Sequence, residues 1–158
     1  MKQITIYTDG ACHGNPGPGG YGVVMLYGAH RKELSGGFRK TTNNRMELMA
    51  VIAALETLKE RCSVRLYSDS RYVVESYMAG SASRWQANGW MRDRKNKALN
   101  VDLWERLLVL CGSHQVEMVW VEGHAGNKEN ERCDQLSVQA ARVRDLPADL
   151  VYEESHRQ

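Results

Sequence analysis

Residues 3–8 alternate polar and apolar positions and include Ile4, Ile6 and Tyr7, the period-2 pattern of a half-buried strand. The run ends in Asp9-Gly10 and enters Gly14-Asn15-Pro16-Gly17-Pro18-Gly19-Gly20, a stretch whose glycines and prolines exclude a helix. Residues 21–27 and 31–38 read as two further strands, joined by a short hairpin connection at Gly28-Ala29-His30. Thr41-Thr42-Asn43-Asn44 is a helix-start cluster, and residues 46–58 after it are rich in strong helix formers. Their middle is apolar almost all round (Leu48, Met49, Val51, Ile52, Leu55), which predicts a central, buried helix. Residues 64–67 are a short apolar run, hence a buried strand. Helices are expected over 72–78 and over 101–110, the latter with Asn100 as N-cap. A fifth strand is expected over 116–121 and a last helix over 130–144, with a tail from Pro147 onward.

The resulting order, β-β-β-α-β-α-α-β-α, has no internal repeat or linker and favours one α/β domain, a mixed sheet flanked by helices. Its boundaries are set at residues 1–144, leaving 145–158 as a C-terminal tail. Length supports this: 158 residues are one ordinary domain. A composition of 42% hydrophobic and 25% charged residues is that of a globular chain. No apolar run reaches the ~18 residues that cross a bilayer, and the N-terminus has no signal-peptide pattern, so the expectation is a cytoplasmic monomer without membrane contact. The 4 cysteines, Cys12, Cys62, Cys111 and Cys133, form no CxxC pair and read as free thiols, although a Cys62–Cys133 bridge stays open. A net charge of +2 neither demands nor excludes a nucleic-acid partner.

The chemistry lies in acids at strand ends. Ile6-Tyr7-Thr8-Asp9-Gly10 and Leu66-Tyr67-Ser68-Asp69-Ser70 end alike, and parallel strands place ligand sites at their carboxyl ends. Parallel neighbours would bring Asp9 and Asp69 side by side, with Glu47 a turn into the long helix and Asp134 in the first turns of the last one. Two like charges ~4 Å apart repel by about 4 kcal/mol at an effective dielectric of 20. Converging acids therefore either keep protons or hold a cation. Hard oxygen ligands suit Mg²⁺ or Mn²⁺, and a pair of such ions can drive phosphodiester cleavage.

Each acid also has a plain structural reading. Asp9 before Gly10 is turn chemistry, Asp69 can cap the next helix, Glu47 has capping-box spacing from Asn44, and Asp134 can pair with Arg132 or simply be exposed. Singly these readings are the better fit; jointly they require all four acids to avoid a shared site by coincidence. His124, between Gly123 and Gly126, is placed to move protons from a mobile loop. A zinc site of Cys12, His13, His124 and Cys133 matches no zinc spacing.

Several motifs in order carry a resemblance. They are Thr8-Asp9-Gly10-Ala11-Cys12 with the Gly/Pro loop, Thr41-Thr42-Asn43-Asn44-Arg45-Met46-Glu47-Leu48, Ser68-Asp69-Ser70, Gly123-His124-Ala125-Gly126 and Asn130-Glu131-Arg132-Cys133-Asp134. Residues 3–141 closely resemble bacterial type 1 ribonuclease H. The resemblance implies the ribonuclease H fold, five mixed strands with the first three antiparallel. It also implies hydrolysis of the RNA strand of RNA–DNA hybrids, leaving 5′-phosphate and 3′-hydroxyl ends. Asp9 would bridge two Mg²⁺ ions, for which Mn²⁺ can substitute; Glu47 and Asp69 would hold one and Asp134 the other, with His124 assisting proton transfer or product release.

The substrate contacts implied are Cys12, Asn15, Thr42, Asn43, Asn44, Arg71, Arg84, Trp85 and Trp90. Short amides and hydroxyls suit 2′-hydroxyls, phosphates and shallow groove edges without reading sequence. Arg84, Arg92, Arg94, Lys95 and Lys97, with Trp85 and Trp90 among them, suit a nucleic-acid backbone; the alternative is a solvated loop over two core tryptophans. The chain departs from the family pattern at Gln86-Ala87-Asn88, where Lys or Arg is common, at Ser81 and Ser83 where a Trp is often found, at Arg71 (commonly Gln) and at Glu122 (commonly Lys). Weaker or less salt-sensitive hybrid binding is the expectation from the first two departures, whereas Arg71 would either bond the RNA more strongly by charge or lower local metal affinity, and Glu122 would cost a modest loss of affinity. The competing readings are another nuclease or strand-transfer activity on the same fold and a catalytically idle hybrid-binding module.

Overall fold

In a computed structural model, which describes residues 1–157, five strands form one sheet in the order β3-β2-β1-β4-β5. β1 (Lys2–Cys12), β2 (Gly17–Tyr27) and β3 (His30–Thr41) are a long antiparallel meander. β4 (Cys62–Ser68) lies parallel to β1, pairing Thr8 with Ser68, and β5 (Gln115–Trp120) lies parallel to β4. The mixed sheet with its first three strands antiparallel is as expected.

The strand alternation sorts side chains onto two faces. Ile4, Ile6 and Val23 face the main core, whereas Tyr7 and Val24 face a smaller one on the other side. The main core is filled by α1 (Asn43–Glu56), in which Leu48, Val51, Ile52 and Leu55 are wholly buried. Burying a Leu or Ile side chain of this kind contributes ~1.5–3 kcal/mol. α2 (Arg71–Met78), α3 (Ser81–Ala87) and α4 (Val101–Gly112) pack on the same side, with Trp104 at the centre. α5 (Lys128–Ala141) covers the opposite face through Cys133 and Leu136.

Three expectations need correction. α1 starts at Asn43 because Thr42 is its N-cap, accepting from Arg45 N–H at 3.2 Å. Asn100 occupies the N-cap position of α4 in the left-handed region (φ 59°) and makes no capping bond; its amide instead donates to Tyr72 Oη at 3.2 Å. Residues beyond Pro147, expected as a tail, pack on the domain. They form α6 (Leu150–Ser155), capped by a buried Asp149 and anchored by a buried Tyr152. α3 was also unforeseen, being a short segment whose alternating serines and single arginine show no apolar stripe. All four cysteines are free, so there is no Cys62–Cys133 bridge. Among the described residues no helix is long and apolar enough to cross a membrane.

Candidate active site

The parallel pairing of β1 with β4 sets Asp9 and Asp69 next to each other at the carboxyl ends of the two central strands. α1 delivers the third acid. It passes so close over β1 that a Cβ on Gly10 would lie 2.5 Å from Glu47 N, so only glycine permits this approach. One carboxylate oxygen from each of Asp9, Glu47 and Asp69 lies within 4.8 Å of the others.

The structure bears on the plain reading of each acid in turn. Asp9 is a strand residue paired with Gly22, not a turn residue, although its Oδ1 accepts Gly10 N–H at 2.9 Å. Ser70, not Asp69, caps α2, accepting Val73 N–H at 3.2 Å. Glu47 Oε1 is buried with no hydrogen-bond partner. Arg132 pairs with Glu33 at 2.8 Å and leaves Asp134 unpaired by it. Asp134 lies outside the tight cluster of three, yet near enough for its charge to act on Asp9.

Electrostatics match the geometry. Burial, then the charges of Asp69 and Asp134, push the Asp9 carboxyl up to about 8. Burial, then the charges of Asp9 and Asp69, raise Glu47 well above the carboxylate range. An orphaned acceptor at Glu47, crowded acids and an all-oxygen donor set fit a hard divalent cation. The zinc reading is not supported, because among the described residues this acid trio is the group arranged to hold a metal.

The amides are tied to the acids. Asn43 Nδ2 donates to Gly10 O at 3.3 Å, and Asn43 N–H donates to Asn15 Oδ1 at 3.1 Å. Asn15 lies in the loop between β1 and β2, Thr42 caps α1, and Asn44 is exposed on the first turn. Cys12 Sγ donates to Gly17 O and Thr41 O, at 3.3 and 3.4 Å, and so holds this loop to the end of β3. His124 is exposed at φ 57° in the loop between β5 and α5.

In the basic segment the two tryptophans match the alternative of core rings beneath a solvated loop. Arg84 turns back to donate to Ala79 O and Ser81 Oγ, at 3.0 and 3.1 Å. Trp85 and Trp90 are half-buried against the main core, Trp85 edge-on to Trp104 at 6.1 Å, so their rings are packing groups first. Arg92, Arg94, Lys95 and Lys97 remain exposed.

Trp120 was missed by the sequence reading. Its indole N–H donates to Asp69 O at 3.1 Å, and the Arg71 guanidinium lies over its ring at 4.2 Å from the centroid. A large aromatic at the end of a strand next to an acidic loop was the signal available.

A sheet of this topology with an acid cluster at the ends of its central strands offers the all-oxygen donor set of a hard-cation site, as a metal-dependent nuclease requires. A family model described as RNase H matches residues 1–142. The chain is 67% identical over 150 residues to a Ribonuclease H of Desulforamulus reducens, covering 95% of this chain and 94% of that one. It is similar to the crystal structure of LC9-RNase H1, a type 1 RNase H with the type 2 active-site motif, with a TM-score of 0.79 and 34% identity over 89% of this chain and 72% of that chain. LC11-RNase H1, solved in complex with RNA/DNA hybrid, matches with a TM-score of 0.66 and 25% identity, over 87% of this chain and 96% of that chain. The chain belongs to the ribonuclease H family, in its bacterial type 1 branch.

Proposed function

We propose that Asp9, Glu47, Asp69 and Asp134 hold Mg²⁺ and that the chain cleaves the RNA strand of RNA–DNA hybrids at this site. Hydrolysis of hybrid RNA follows from the family; the metal, the residue roles and the product ends, 5′-phosphate and 3′-hydroxyl, are this reading's own. The observation that carries it is the bonded chain from Asn15 through Asn43 to the Gly10 carbonyl, next to Asp9. Amides suited to an A-like backbone are thereby fixed in register with the acids. A duplex resting on Asn15, Asn43 and Asn44 would present a phosphodiester to the carboxylates without its bases being read.

Bound divalent ions would supply a nucleophile at neutral pH and charge stabilisation for the leaving oxygen, with two ions the expected number. Asp9, shared between them, and Glu47 would lose their protons on loading, because a cation offsets the repulsion that raises both. His124, exposed on its loop, would carry a proton to the leaving 3′-oxygen or assist product release. Arg71, spread over Trp120 beside Asp69, would contact the RNA strand by charge, and Arg92, Arg94, Lys95 and Lys97 would follow the DNA strand. Support for hybrid as the substrate comes from the relative solved in complex with RNA/DNA hybrid. A cytoplasmic monomer remains our expectation.

The test is cleavage of end-labelled 20-mers as hybrid, single-stranded RNA, double-stranded RNA and double-stranded DNA, with Mg²⁺ or with EDTA. Cutting of the hybrid's RNA strand alone, and only with metal, is the expected outcome. Cutting of DNA would overturn the substrate assignment, and binding without cleavage would favour an idle module.

A further inference from the structure

A groove of about 710 Å³ runs from the first turn of α1 to the C-terminal helix. It is lined by Asn15, Thr42, Asn44 and Asn100 together with Ser155 and His156. It is therefore continuous with the amides of the proposed hybrid surface, and α6 supplies part of its wall.

His156 is held in a fixed pose. Its ring stacks on Tyr152 at 4.1 Å between centroids, and Nδ1 lies 2.9 Å from Tyr152 O. A carbonyl oxygen only accepts, so Nδ1 carries the proton and donates. Nε2 is then an acceptor in neutral imidazole and a donor only in imidazolium. A phosphate oxygen also only accepts, so it can meet Nε2 only when the ring is charged. Of the other charged groups nearby, Arg45 pairs with Asp102 at 2.7 Å, Arg39 with Glu153 at 2.9 Å and Arg157 with Glu154 at 3.5 Å, while Lys40, on β3, acts on Glu153 through its charge alone and is a permanent cation that does not switch. Ser155 Oγ donates to Val151 O at 2.7 Å and offers no free proton. His156 is thus the groove's switchable donor on the α6 side.

We infer that α6 is the outer wall of the hybrid-binding groove, and that protonated His156 bonds a backbone phosphate lying beyond Asn44, adding a proton-linked contact to substrate binding. This rests on the hybrid reading above. The groove includes none of the four acids, so the effect falls on affinity and not on the chemical step.

The test is steady-state cleavage of a hybrid by wild type, His156→Ala and His156→Lys, at pH 6 and pH 8.5. His156→Ala should raise KM about fivefold at pH 6, the worth of one exposed charge contact, leave kcat unchanged, and match wild type at pH 8.5. His156→Lys, charged throughout, should keep the low KM at both pH values. Equal KM for wild type and His156→Ala at pH 6, or the same KM rise at both pH values, would overturn the inference and leave the hybrid reading standing. A wild-type protein that cuts no hybrid would overturn both.

Discussion

The Arg45 guanidinium donates to both oxygens of Asp149, from Nε at 2.7 Å and from Nη2 at 3.0 Å, and so fastens the C-terminal segment to the first turn of α1. The same guanidinium reaches Asp102 at 2.7 Å, and Thr41 Oγ1 donates to Asp149 Oδ2 at 2.7 Å. α1, α4, β3 and α6 thus meet at one buried cation, whose side chain is 5% exposed.

Asp149→Ala should lower stability by about 3 kcal/mol, because removing one partner strands a buried charge. Asp102 still faces Arg45, which keeps the loss at the lower end of the usual range. Urea denaturation would measure it, and a change under 1 kcal/mol would mean that the network adds nothing. Below its unfolding limit the variant should still cut hybrid, because the acid cluster is untouched.

Asp9→Asn should abolish cleavage and stabilise the metal-free protein. A carboxyl raised to about 8 binds its proton more tightly folded than unfolded. Its contribution is therefore present below the unfolded value near 3.8 and is lost as pH rises toward 8. Asparagine does not ionise and removes that loss, so at pH 7 the variant should gain a few kcal/mol, on the order of 1.4 kcal/mol for each unit by which pH exceeds the unfolded value. Thermal melts in EDTA at pH 5 and pH 8 would show the two proteins diverging with pH. A variant less stable than wild type at pH 8 would contradict the electrostatic account.

Gly123→Ala should damage the site and spare the fold. A Cβ there would come within 2.8 Å of Asp69 Oδ2, and the mobile carboxylate tip would have to move. A misplaced ligand of this kind costs on the order of a hundredfold in rate. Metal titration of activity should shift to higher concentration while the melting temperature stays near wild type. Unchanged activity would mean that Asp69 adjusts without cost.

His114 should make stability fall on mild acidification. Its Nδ1 accepts Cys62 N–H at 3.0 Å, which requires an unprotonated nitrogen, and burial with the nearby Arg61 charge holds its pKa below 6.5. The unfolded chain takes up the proton first. The contribution is thus complete above 6.5 and declines as pH drops below it. His114→Asn, whose side-chain oxygen accepts without titrating, should flatten the slope between pH 7 and pH 5. An identical slope in both proteins would remove His114 as the cause.

Local pattern determined much of this protein. Alternation in β1 and the all-round apolar run of α1 follow from short-range periodicity, and a strand ending in Asp-Gly or Asp-Ser marks its acid wherever the strand lies. Asp9, Glu47 and Asp69 were therefore legible as a set. Their convergence was expected only on the condition that β1 and β4 pair in parallel; the structure meets that condition, and Gly10 lets α1 descend onto the sheet. Nor could sequence alone choose between Thr42 and the asparagines as cap, because all four residues of that cluster can cap a helix. The tertiary structure freed Asn43 for the Gly10 carbonyl, turned Trp85 and Trp90 toward the core, and set Trp120 beside Asp69. It also decided the fate of the C-terminal segment. Leu150 to Ser155 is too short and too mixed to be stable as an isolated helix. Contacts more than a hundred residues away along the chain, Asp149 with Thr41 and Arg45, hold it in place. Periodicity reports which face of an element is buried, whereas contacts of that range arise only once the sheet has brought the elements together.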